Sequence, residues 1–186
     1  MDSKIVLHLT AKRSYRRFIA GLTVLTVIAL CAISCKQNNW MDWKVQNELW
    51  LENNKTKDSV QVSSTGLQYK ILADPTPKDA QPNTNSIVTC DYTARLINGC
   101  VIDAGNKVVL DLSGTIPGFS EGCHKIHNNG DIELYIPAYL GYDATKYQTN
   151  DYNEAAGNEA TEGTQSYIPP YSTLIYTVHI SGVTGE

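Results

Sequence analysis

From Gly66 onward, apolar and polar residues alternate in short runs along the chain. Leu67, Tyr69 and Ile71 form one such run, and Val88, Cys90, Tyr92, Ala94 and Leu96 a second. Cys100 to Asp103 begins a return strand, while Val108, Leu110 and Leu112 mark another. Ile132, Leu134 and Ile136 alternate, as do Leu174, Tyr176, Val178 and Ile180. A period of two places every second side chain on one face, so each run reads as a strand with one buried face. Asn98-Gly99 supplies the positive φ angles of a tight hairpin turn. Phe119, Cys123 and Ile126 recur at helical spacing, and Asn128-Asn129-Gly130 ends that short helix. The fold class expected is α+β: a curved antiparallel β-sheet of five or six strands wrapped over one short helix.

Before the sheet the period is different. Residues from Trp40 to about Lys57 contain no Gly or Pro, and Trp40, Trp43, Trp50 and Leu51 stand at near-helical spacing. This predicts an amphipathic helix of about four turns. Its tryptophans need a surface, and packing on the domain, a homodimer through this N-terminal helix and the lipid interface all satisfy that need. Lys55 to Ser64 is polar and reads as a linker, and Asp74 to Asn85 as a loop.

The first 34 residues stand apart in charge and hydropathy. Lys12, Arg13, Arg16 and Arg17 precede the uncharged run Phe18–Ser34, and small residues lead into Cys35. A basic start, an apolar stretch and a small-residue exit describe a secretory signal peptide over 1–34. The ending AISC resembles a bacterial lipobox, which makes Cys35 the lipidation site and places the remainder outside the cytoplasm, lipid-anchored at the cell envelope. An uncleaved anchor helix is the competing reading, although 17 apolar residues lie at the short end of spanning lengths.

Composition narrows the partners. From Cys35 onward there are 10 basic and 18 acidic residues, a formal charge of −8, and no cluster of Lys or Arg. Nucleic-acid binding draws its affinity from such clusters and is not expected. Cys90, Cys100 and Cys123 are an odd number, so a complete internal disulfide framework is excluded, and they read as buried small hydrophobes. Cys123, His124 and His127 lack a second ligand pair at zinc-like spacing. Asn150–Glu154 lacks the spacing and Gly of a calcium loop. Neither a metal nor another cofactor is expected.

Five segments, in order, resemble the FKBP family of peptidyl-prolyl cis-trans isomerases from Ser64 to Val183. They are GLQYKIL, VTCDYTARLINGCVID, TIPGFSEG, ELYIPAYLGY and IPPYSTLIYTVHI. The NELWLENN segment also looks like the leader of lipoprotein members. The resemblance implies an isomerase domain over 64–186, following a lipid-anchored N-terminal helix and linker over 35–63. It implies an apolar pocket gripping a proline ring in exported polypeptides. It assigns Tyr92 as the pocket tyrosine, Asp103 as the acid beside it, Ile116 as an N–H donor with Thr115 alongside, and Tyr142 as a hydroxyl donor. Phe119 stands in the place of the usual floor tryptophan. Ile168 and Tyr176 close the apolar wall, with Val108 and Leu110 opposite, and Ile102 precedes the acid where Phe is usual. Asp143 follows Tyr142 where Gly is usual. By residue type alone, Tyr92, Tyr176 and Phe119 are equally accounted for by core packing, and Ile168 by a loop before Pro169-Pro170. A catalytically weak binding or chaperone module is the alternative function. Residues 143–167 form a long insertion with a formal charge of −4, read either as a solvated loop or as a lid beside the pocket.

Overall fold

The computed structural model describes residues 40–75, 79–145, 147–148 and 167–185. The expected signal peptide, Cys35 and most of the expected insertion after Tyr142 lie outside the described residues. The elements in chain order are α1 (Trp40–Asn54), β1 (Gln61–Val62), β2 (Gln68–Ala73), β3 (Ile87–Arg95), β4 (Val101–Asp111), α2 (Pro117–Cys123), β5 (Asp131–Ile136), β6 (Tyr147–Gln148), β7 (Tyr167–Ile168) and β8 (Leu174–Thr184). A single 3-10 turn, Leu112–Gly114, joins β4 to α2, and another, Ala138–Leu140, follows β5.

Six strands form one antiparallel sheet in the order β1-β2-β5-β8-β3-β4. β8 shows why its residues choose this arrangement: Leu174, Tyr176, Val178 and Ile180 are buried, while Thr177 among them and Ser181 after them are exposed. The same inner face carries Val88, Cys90, Ile132, Leu134 and Ile136, and α2 covers it with Phe119 and Cys123. Helix and sheet approach closely because Gly118 and Gly122 have no Cβ. A Cβ on Gly118 would collide with Ile136, and one on Gly122 with Leu134.

Four local expectations are corrected. Gln61–Val62, in the polar stretch expected to be a linker, pairs with β2 as an edge strand. The two strands expected at Cys100–Asp103 and Val108–Leu112 are one, β4, whose alternation is interrupted by bulges. The tight hairpin turn expected at Asn98-Gly99 is a three-residue one: Leu96 N–H donates to Cys100 O, so Cys100 lies opposite Leu96. Only Gly99 takes a positive φ there, because Asn98 instead accepts from Cys100 N–H through its side chain. Finally, α2 ends at Cys123, and Ile126 is buried from the following turn.

The amphipathic reading of α1 also changes. Trp40, Trp43, Trp50 and Leu51 do face the domain, half-buried, but the deepest residues are Asn47 and Asn54, at 2% and 0% exposure. Asn54 Nδ2 donates to Gln68 Oε1 at 3.0 Å, and Gln68 Nε2 donates to Leu51 O. The helix is held by buried amides flanked by rings, with Trp50 packing against Tyr135 at 5.7 Å. Met41, Val45 and Leu49 are exposed.

Candidate active site

β3 and β4 build one wall of a cavity, and two bulges decide which side chains reach it. Cys90 pairs with Val108, but Tyr92 pairs with Gly105, so Asn106 and Lys107 together oppose Asp91. Lys107 takes φ +50°, and its N–H donates to Asp91 Oδ1 at 2.6 Å. In a regular strand Asp103 and Leu110, seven residues apart, would point to opposite faces. The extra residue restores them to the same face, since paired residues share a side of the sheet. A second bulge, between the Ala94–Asp103 and Arg95–Val101 pairs, leaves Ile102 unpaired. Gly105 is required by close approach: a Cβ there would stand 2.6 Å from Tyr92 Cε1.

The cavity encloses about 260 Å³ and is lined by Tyr92, Leu110, Gly114, Thr115, Ile116, Phe119, Tyr142 and Tyr176. Three rings form its apolar body. Phe119 and Tyr176 meet edge to face at 5.2 Å, Tyr92 and Phe119 do so at 6.1 Å, and Tyr92 tilts against Tyr176 at 5.9 Å. Such pairings suit the ring quadrupoles and fix the ring positions. Ile116 is the N-cap of α2, with extended backbone ahead of Pro117. Thr115 Oγ1 donates to Leu112 O, which ties the segment before the helix to the 3-10 turn.

Asp103 is reached through Tyr92, whose hydroxyl donates to Asp103 Oδ2 at 2.9 Å. Burial raises the Asp103 pKa above the ordinary carboxylate value, against the lowering effect of the Tyr92 hydroxyl and the Ala104 N–H. Tyr142 follows the 3-10 turn after β5. The next residue, Asp143, takes φ +48°, which accounts for the expectation of Gly there.

Seven of the residues singled out in the sequence thus converge on one cavity, with Asp103 bonded to its wall. Three do not line it. Ile102 and Ile168 are buried in the core, the latter on the short strand β7. Val108 is drawn aside by the bulge and abuts Gly105. Gly114 was missed, since a residue without a side chain leaves no polarity signal. β6 and β7 close the base of the insertion. Among the described residues, no group of three His, Cys, Asp or Glu side chains could hold a metal. Cys90 and Cys123 are buried thiols, and burial pushes Cys90 up to about 11, so it stays protonated as a core hydrophobe.

The family described as FKBP-type peptidyl-prolyl cis-trans isomerase matches residues 78–181. The chain belongs to that family. It is 34% identical over 141 residues to the probable FKBP-type peptidyl-prolyl cis-trans isomerase FkpA of Neisseria meningitidis, covering 74% of this chain and 45% of that protein. It is 31% identical over 144 residues to the outer membrane protein MIP of Legionella longbeachae, covering 75% and 54%. The FKBP-type chain thus spans about half the length of the curated relatives it matches. The crystal structure of FkpA from Escherichia coli superimposes with a TM-score of 0.62 at 26% identity, covering 99% of this chain and 73% of that one. The curved sheet over one short helix is therefore the FKBP fold.

Proposed function

We propose that this FKBP-type chain accelerates cis-trans exchange of X–Pro bonds in exported polypeptides. The observation that carries the reading is the ring-walled cavity in which Tyr92, Phe119 and Tyr176 meet, with Ile116 and Tyr142 at its rim. The reaction needs neither nucleophile nor metal. Its barrier is lost amide resonance, about 18–20 kcal/mol. A twisted amide separates less charge than a planar one, so a dry apolar wall favours it over the ground state. The Ile116 N–H and the Tyr142 hydroxyl hold the carbonyls flanking the ring. Asp103 orients Tyr92 by accepting a hydrogen bond from its hydroxyl, and does not act as a base.

The setting follows from the same reading. Residues 1–34 direct export, Cys35 carries the lipid, and the isomerase domain works at the cell envelope, a location supported by the basic-apolar-small leader and by a relative named as an outer membrane protein. Exposed Met41, Val45 and Leu49 favour self-association through α1, checked by sedimentation of the full chain. A binding module without turnover is the second reading, favoured by the aliphatic β4 wall at Leu110. Exchange rates of X–Pro peptides decide between them. Acceleration that falls at least tenfold in Asp103→Ala and Tyr142→Phe supports the enzyme. Spontaneous rates with every peptide, from folded protein, would refute it.

A further inference from the structure

α1 touches a single stretch of chain beside the cavity, residues 167–173, at four successive points. The Trp40 ring meets Tyr167 edge-on at 6.5 Å. Trp43 Nε1 donates to Ser172 Oγ at 2.9 Å, and that hydroxyl donates to Pro169 O at 2.7 Å. The Lys44 ammonium lies 5.0 Å over the Tyr171 ring. Asn47 Oδ1 accepts from Thr173 N–H at 2.7 Å while its Nδ2 donates to Trp43 O at 2.8 Å. Both functional groups of this buried amide are committed.

The stretch that α1 holds is clasped to the residue after Tyr142. Tyr171 N–H donates to Asp143 O at 2.7 Å, and Asp143 N–H donates to Ala138 O at 2.8 Å. Tyr171 and Asp143 take φ +63° and +48°, in the left-handed region that side chains other than glycine's disfavour. Backbone of this kind persists only where its surroundings over-determine it. Two such residues, bonded to one another beside a cavity-lining tyrosine, need support from outside the turn, and the four contacts of α1 supply it.

We propose that α1 is a positioning element for the cavity, with Asn47 as the positioning residue: by fixing Thr173 and Ser172 it holds the Tyr171–Asp143 clasp, and the clasp sets the place of Tyr142. The claim about Tyr142 stands on geometry. Its effect on rate rests on the isomerase reading.

The test uses the full chain with a fluorine label on the Tyr142 ring, and compares Asn47→Leu and Trp43→Phe with the unsubstituted protein. Asn47→Leu removes the acceptor for Thr173 N–H while keeping the branching of the side chain, and Trp43→Phe removes the indole donor together with part of the ring. The expected result is a broadened or split fluorine line, faster exchange of the Thr173 and Tyr171 amides, and kcat/KM for X–Pro peptides reduced about tenfold in Asn47→Leu, less in Trp43→Phe. The loss falls mainly on KM, since the Tyr142 hydroxyl also holds the ground state. An unmoved fluorine line in a folded variant whose Thr173 or Tyr171 amide has lost protection overturns the proposal. Should Asn47→Leu fail to fold, Trp43→Phe decides by the same criterion. Should the unsubstituted protein show no acceleration, the isomerase reading falls, and the fluorine line alone decides the positioning claim.

Discussion

α1 and α2 hold the same sheet by different physics. α2 has seven residues and buries Gly118, Phe119, Ser120, Gly122 and Cys123, lying against Ile136 and Leu134 wherever a Cβ is missing. α1 has fifteen residues, and its two fully buried ones are asparagines. Apolar contact brings α2 close but specifies little about direction. Buried amides fix α1 in one register, because each must meet its partner or remain unsatisfied. The helix that forms the cavity is therefore held by shape, and the helix behind the cavity by hydrogen bonds.

The contrast is open to direct attack. Phe119→Ala should have the largest effect, since Phe119 belongs both to the core under α2 and to the ring cluster. Its cost is expected at about 3–5 kcal/mol by denaturant titration. A loss below about 1 kcal/mol would mean that α2 is not held by apolar packing. Gly118→Ala drives a methyl into Ile136, with an expected cost of about 1–3 kcal/mol from overpacking. Insensitivity there would show that the helix can lift from the sheet freely.

Asn54→Ala tests the other helix. It leaves Oε1 of Gln68, a residue 5% exposed, without its donor and should cost about 1–3 kcal/mol. Adding Gln68→Leu should return part of that loss, because no buried polar group is then left alone. An additive double variant would deny the pairing.

Asp103→Asn is the smallest and is read through pH. Burial raises the folded pKa of Asp103 above its unfolded value. Its favourable contribution is therefore complete below the unfolded pKa, about 3.9, and is lost as pH rises through the folded pKa. The variant should match the parent near pH 3 and gain relative stability as pH rises towards neutrality. A pH-independent difference would contradict a desolvated carboxyl.

How much of this was legible depended on whether the signal was local. β8 alternates from Leu174 to Ile180 and β3 from Val88, and period alone announces both. β4 reads as two strands because its alternation slips where Asn106 and Lys107 oppose Asp91, and a slip in phase looks like a break. The two residues of β1 are too short a run to carry a period. Tyr92, Phe119 and Tyr176 were visible as aromatic residues at core positions, and resemblance assigned them to a site, but residue type could not bring them together. Ile168 shows the limit: its neighbours Pro169 and Pro170 suggest a loop, yet it lies on β7 and is buried in the core.

By itself the sequence determined where α1 and most of the longer strands lie, which face of those strands is apolar, and which family the segments resemble, because side-chain periodicity along a few residues encodes all of these. Tertiary structure alone decided that Asp103 and Leu110 share a face, that three rings close one cavity, and that asparagines anchor α1. The reason is distance along the chain. Asn47 finds its partner on Thr173, 126 residues away, and a backbone N–H leaves no mark in the local pattern that would announce it.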